Sequence, residues 1–175
     1  MVQKIMIFKT LIFTIIIPGT VIIIFPLLLS SIWHQKLEIG ILPILGLLLI
    51  MIGFVFYFYS VLSFLIIGEG TPMIFFMKKL EKIFGLEPDK LVRSGLYQYS
   101  RNPMYLGVVL LVLGEGLIFQ LLIVIIWGFI SFILFHLVVC FIEEPHLKRK
   151  HGKEYEDYLK NTPRWIGNRR FRVLK

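Results

Sequence analysis

Residues 104–142 read MYLGVVLLVLGEGLIFQLLIVIIWGFISFILFHLVVCFI, thirty-nine residues with one acid, Glu115. A single helix of that length would run about 58 Å at 1.5 Å per residue. That is nearly twice the ~30 Å hydrocarbon thickness of a bilayer. The run must therefore fold back, and Gln120, near its middle, is the natural place for the turn. The expectation is a hairpin of two helices, each arm short for a full crossing.

Two longer apolar runs precede it. Ile5–Ile32 contains Pro18 and Pro26, each of which removes a helical hydrogen bond, so a kink is expected there. Ile41–Ile67 is the second. Both can cross a bilayer with some tilt. The chain is 57% hydrophobic, where soluble domains hold about 45–50%. The excess sits in runs and not in alternation, which marks an integral membrane protein. The fold class is all-α and polytopic, with about four transmembrane helices. Residues 1–67 form the first two, and 68–175 form a second region that carries the chemistry. The first run is too long for the apolar part of a signal peptide and lacks a small-residue cleavage site, so it reads as a retained span. Cys140, the one cysteine, has no partner for an intrachain disulfide.

The net charge of +8 is clustered. Lys4 and Lys9 stand at the start, Lys36 alone follows the first span, and Lys78, Lys79, Lys82, Lys90, Arg93 and Arg101 fill 68–102. The tail after Glu144 holds ten Lys and Arg, from Lys148 to Lys175. Excess Lys and Arg mark cytoplasmic segments. The N-terminus, 68–102 and the tail are then cytoplasmic, and four crossings satisfy all three. No nucleic-acid-binding module is present, so the charge points to membrane lipid and not to nucleic acid. The tail places Leu147, Tyr155, Tyr158 and Leu159 on one side of a broken helical pattern. It reads as an interfacial helix with Trp165 as a headgroup-level anchor.

Charged and polar residues at the membrane edge are where chemistry is expected. Asn102 suits an N-cap and Pro103 the first helical position. Arg101 beside that helix start either anchors it at the headgroups or helps make an anion site. Glu143 and Glu144 close the last apolar helix, either as a solvated end or as acceptors for a cation, amine or hydroxyl. His136 lies seven residues before Glu143, two turns along a regular helix, so the two should line one groove. Glu115, flanked by Gly114 and Gly116, has a structural or a functional role open to it. GEGTP, Gly68–Pro72, reads as a helix stop with Gly68 and Gly70 as terminating glycines, not as a dinucleotide loop. His34, His136, His146 and His151 lack zinc-ligand spacing, so no metal site is expected.

Three blocks, GEGTP, LVRSGLYQYSRNPMYLG and EEPHLKRKHGKEYEDYLKNTPRW, fall within residues 68–165. In order and spacing they resemble the membrane methyltransferases related to isoprenylcysteine carboxyl methyltransferase, a pattern the phospholipid methyltransferases share. The resemblance implies an S-adenosylmethionine-dependent enzyme methylating a lipophilic or lipidated acceptor. It implies a cofactor pocket of Leu91, Val92, Tyr97, Asn102, Pro103, Met104, Tyr105 and Glu143, with Arg101 and Glu144 at adjacent motif positions. Arg101, Glu144 and His136 are the candidate catalytic groups, the last two as bases. A phospholipid amine methyltransferase and a non-catalytic membrane subunit of the same fold are the alternatives. The animal isoprenylcysteine enzymes carry a histidine where this chain has Asn102. They also carry an arginine, implicated in holding the acceptor, where this chain has Val139. A prenylcysteine carboxylate would lack that partner here.

Overall fold

The computed structural model describes residues 2–38, 40–72 and 81–167. Lys78 and Lys79 of the loop, and the tail from residue 168 onward, lie outside the described residues. The described chain is helical, with no strand beyond one isolated bridge between Lys36 and Leu121. Helix α1 (Val2–Gly19) runs through a widened turn, Thr20–Ile24, into α2 (Phe25–Ile32). Helix α3 spans Leu42–Ile66 and α4 is a short turn, Glu81–Phe84. Helix α5 is Pro103–Ile118 and α6 is Leu122–Val138, which continues through a second widened turn, Val139–Glu143, into α7 (Glu144–His151). Helix α8 is Lys153–Asn161.

Among the described residues, three stretches are long and apolar enough to cross a membrane: Lys4–Ile32, Leu42–Ile66 and Leu122–His151. The hairpin arms are unequal. Helix α5 has 16 residues, about 24 Å, whereas α6 gains length by running on into α7. The turn falls where expected, with Gln120 at φ 54°. The hairpin tip meets the connection after the first span: the Leu37 N–H donates to the Gln120 carbonyl at 2.8 Å, and the Leu122 N–H to the Gln35 carbonyl at 3.3 Å. The tip and the Lys36 connection therefore occupy the same end of the bundle.

The kink expected from Pro18 and Pro26 takes the form of the widened turn between them. Such a turn loosens the carbonyl ladder, and here the Val21 carbonyl accepts the indole N–H of Trp127 from α6 at 3.0 Å. The Phe25 ring stacks on the same indole, centroids 4.6 Å apart. Helices α3 and α5 run antiparallel in backbone contact. A Cβ on Gly46 would lie 2.6 Å from the Gly114 carbonyl oxygen, and one on Gly107 would lie 2.7 Å from the Tyr57 nitrogen and 2.9 Å from the Gly53 oxygen. In lipid, where no hydrophobic force drives helices together, such approach is what dispersion packing needs.

Two sequence expectations change at the end of α3. Gly68 and Gly70 are not the left-handed residues; Glu69, between them, is, at φ 54°. Gly70 is required for closeness instead, since its Cβ would fall 2.4 Å from Pro88 Cα. This seats 86–90 against the end of α3. Lys90 pairs with Glu69 across the seam.

Candidate active site

At the end of the bundle opposite Gln120, a cavity partly open to solvent forms where four segments meet. Its wall carries Phe64 from α3; Glu87, Lys90, Leu91, Val92 and Tyr97 from the loop; Arg101, Asn102, Met104 and Tyr105 from the start of α5; and Val139, Glu143 and Glu144 from the second widened turn and α7. Tyr155 and Tyr158 of α8 close it.

Helix α5 begins at Pro103, as its sequence dictates, but Asn102 does not cap it. The Asn102 amide donates instead to the Arg164 carbonyl at 2.9 Å. The Arg101 N–H donates to the Pro163 carbonyl at 3.0 Å. A strap, residues 162–165, thus stitches the chain immediately before α5. Trp165 continues the seam: its indole N–H donates to His136 Nδ1 at 3.1 Å, and its ring packs on Phe132 of α6.

Glu144 sits at the centre. Arg164 grips it with both prongs, Nε to Oε1 at 2.7 Å and Nη2 to Oε2 at 2.8 Å. Arg101 Nη1 lies 2.9 Å from the same Oε1, close enough for an ion pair but without hydrogen-bond angles. The Arg101 side chain is only 6% exposed, and its Nε is buried with no hydrogen-bond partner. Glu143 accepts the Tyr105 hydroxyl, and Tyr105 packs on Phe135 across the hairpin. Glu87 faces His146 at 2.8 Å and Lys150 at 3.3 Å, tying the loop to α7.

Three buried tyrosines outside the spans, Tyr97, Tyr155 and Tyr158, are held neutral. Burial pushes the Tyr155 hydroxyl up to about 12, and burial likewise raises Tyr97 and Tyr158. They offer rings and hydroxyl donors, not negative charge. The Tyr158 hydroxyl donates to the Tyr97 carbonyl at 2.6 Å, latching α8 to the loop. Tyr155 and Tyr158, expected on a lipid-facing side of the tail, are instead buried against protein, and Trp165 is docked on α6.

Of the sequence-derived candidates, Leu91, Val92, Tyr97, Arg101, Asn102, Met104, Tyr105, Glu143 and Glu144 all reach the cavity wall. Pro103 is buried at the head of α5 without lining it. His136 does not reach it: it is engaged by Trp165 and lies 3.4 Å from Cys140 Sγ. The groove expected from the seven-residue spacing fails because the turn between His136 and Glu143 is widened. One extra residue per turn rotates Glu143 by about 100° relative to a regular helix. Glu144 also departs from its expected role as a base, since both its oxygens are spent on guanidinium groups. Arg164, Glu87, His146 and Tyr155 were not singled out as site residues. Nothing in local spacing marks them, because each acts across the fold.

Residues 41–154, from the start of α3 into α8, match the phospholipid methyltransferase family. The chain belongs to that family. Over 131 residues this family member is 30% identical to the protein-S-isoprenylcysteine O-methyltransferase of Schizosaccharomyces pombe, a match covering 66% of this chain and 52% of that protein. The chain thus spans about half the length of the curated relative it matches. No solved structure matches it. The family match takes in the loop, α5 and both glutamates. It leaves out α1, α2 and the strap.

Proposed function

We propose that the chain is an integral membrane methyltransferase that uses S-adenosylmethionine to methylate a lipophilic acceptor. The observation that carries this reading is Arg101, a buried guanidinium on the cavity wall whose Nε has no partner within the protein. A buried N–H left so costs about 1–3 kcal/mol, which an incoming anionic group would relieve. The donor set fits a ligand with a carboxylate, an ammonium and an adenosine. Arg101 and the first turn of α5 suit the carboxylate. Glu143 suits the ammonium or ribose hydroxyls, and the faces of Tyr97 and Tyr105 suit a cation or a purine. When bound, S-adenosylmethionine supplies a methyl group already activated on a sulfonium. The work left to the protein is alignment and exclusion of water. Leu91, Val92 and Met104 supply apolar wall, and Tyr155 and Tyr158 cover it.

The acceptor is read as neutral or cationic. Val139 is 1% exposed and lines the cavity, where an acceptor carboxylate would need a cation. Arg101 is assigned to the cofactor carboxylate, and Lys90 and His146 on that wall already face carboxylates. Burying a carboxylate against valine is costly. Membranes containing the protein, incubated with methyl-labelled cofactor and extracted, should show label in an amine-bearing lipid. A farnesyl-cysteine analogue should be methylated far more slowly by purified protein. A rate equal to that on the best lipid acceptor would overturn the acceptor class, and label in no fraction would favour the non-catalytic subunit.

Both termini are read as cytoplasmic, with the cavity on that side. The support is the Lys and Arg distribution together with the pairing of the Lys36 connection and the hairpin tip at the other end. In a Cys140→Ala background, Lys160→Cys should label with an impermeant thiol reagent from the cytoplasmic side and Lys36→Cys from the opposite side. Cytoplasmic labelling at position 36 would invert the assignment.

A further inference from the structure

Arg164 lies ten residues beyond the segment that matches the family (164 against a last matched residue of 154), yet it grips the central carboxylate of the cavity. We infer that Arg164 is a positioning residue of the cofactor site: it occupies both oxygens of Glu144 and so keeps Arg101 at the cavity with its Nε unspent. The inference rests on Arg101 taking the cofactor carboxylate.

The geometry gives the reason. A carboxylate can receive one guanidinium as a two-pronged fork, and that arrangement is preferred over a single contact. Two arginines compete for Glu144. Arg164 holds the fork, at 2.7 and 2.8 Å, and those hydrogen bonds to Glu144 raise its own pKa. Arg101 is left the side contact, at 2.9 Å and off-angle. Without the Arg164 fork, Glu144 is free to take Arg101 in the two-pronged mode. The buried guanidinium that Arg101 presents on the cavity wall would then be turned into the protein and lost to a ligand.

Arg164 also differs from a residue that merely holds the strap down. The strap's seam is made by main-chain groups: the Arg164 carbonyl to Asn102 and the Pro163 carbonyl to the Arg101 N–H. Those bonds do not use the Arg164 side chain, which is 32% exposed. Substituting it removes the fork and leaves the seam.

The test is calorimetric, on purified protein in lipid nanodiscs, with two probes: S-adenosylhomocysteine and its analogue lacking the amino-acid carboxyl group. Arg164→Gln should weaken the first by about tenfold, the loss expected for a charge-assisted contact, and the second by less than about twofold. Arg164→Lys keeps the cation but not the fork, and should retain most of the loss. It also decides the matter by the same ratio if Arg164→Gln does not fold. Equal weakening of both probes, no weakening of either, or full affinity with lysine would overturn the inference. Arg101→Gln is measured alongside. If it too fails to discriminate between the probes, the reading of Arg101 itself has failed. If Arg101→Gln discriminates and the Arg164 variants do not, only the positioning role falls.

Discussion

Replacing Gly107 by leucine should cost the protein its folded bundle. The new Cβ alone would sit 2.7 Å from the Tyr57 nitrogen and 2.9 Å from the Gly53 oxygen, with Tyr57 Cα at 3.1 Å. All three are backbone atoms of α3, so no rotamer change relieves the overlap and the helices must part. Overpacking against movable side chains costs about 1–3 kcal/mol; against a backbone the cost should exceed that range. The consequence would reach the site, because α5 carries Arg101, Met104 and Tyr105 at its head and α3 supplies Phe64. Gly40→Ala is the control, since a Cβ there meets nothing within 4 Å. Size-exclusion profile and thermal inactivation in detergent read the result. An unchanged profile for Gly107→Leu would refute the packing of α3 on α5.

Glu144→Ala is the second large effect. It leaves two guanidinium groups facing each other, Arg101 at 6% exposure and Arg164 at 32%. Removing one partner of a buried ion pair costs about 3–5 kcal/mol. Water reaching Arg164 puts this case at the low end. For a domain of this size about 3 kcal/mol corresponds to a fall of about 6–12 °C in unfolding temperature. Binding of S-adenosylhomocysteine should fall as well, since Arg101 loses its anchor. The exposed pair of Lys160 and Asp157, 3.2 Å apart with side chains 73% and 50% exposed, is the contrast. Asp157→Ala should change stability by less than about 1 kcal/mol. Equal melting temperatures for the two variants would mean that Glu144 is not the buried hub described.

Helix α3 was legible almost to the residue, Ile41–Ile67 in the sequence against Leu42–Ile66 in the structure, because an unbroken apolar run bounded by glycines leaves no choice. The turn at Gln120 followed from length alone. The cavity wall was legible through residues 91–105 and the acidic pair because each falls in a short block, and the blocks follow one another in a recognisable order. The widened turn at Val139–Glu143 was not legible: VCFIE carries no proline or glycine to announce it. That one hidden residue separated His136 from Glu143. Asn102 misled for a related reason. Its cap propensity is local, and a long-range acceptor, the Arg164 carbonyl, outcompeted it. Arg164 stayed hidden because it lies in the strap and its partner is twenty residues away, on α7.

The glycines of α3 and α5 recur at the same interval, 46 and 53 against 114 and 107. Seven residues of helix is about 10.5 Å. A slide by that step would set Gly53 against Gly114, but Ser60 would take the place of Gly53, where a Cβ stands 2.8 Å from the Gly107 carbonyl oxygen and 2.9 Å from the Leu111 nitrogen. The missing side chains therefore select one alignment and reject its neighbour. Two clasps hold that same alignment at its ends: the Tyr59 hydroxyl, 1.7 Å from where a Cβ on Gly95 would stand, and the hydrogen bond from Leu37 to Gln120. Helices that insert first and associate afterwards thus have a register to find, and the loop that builds the cavity locks it.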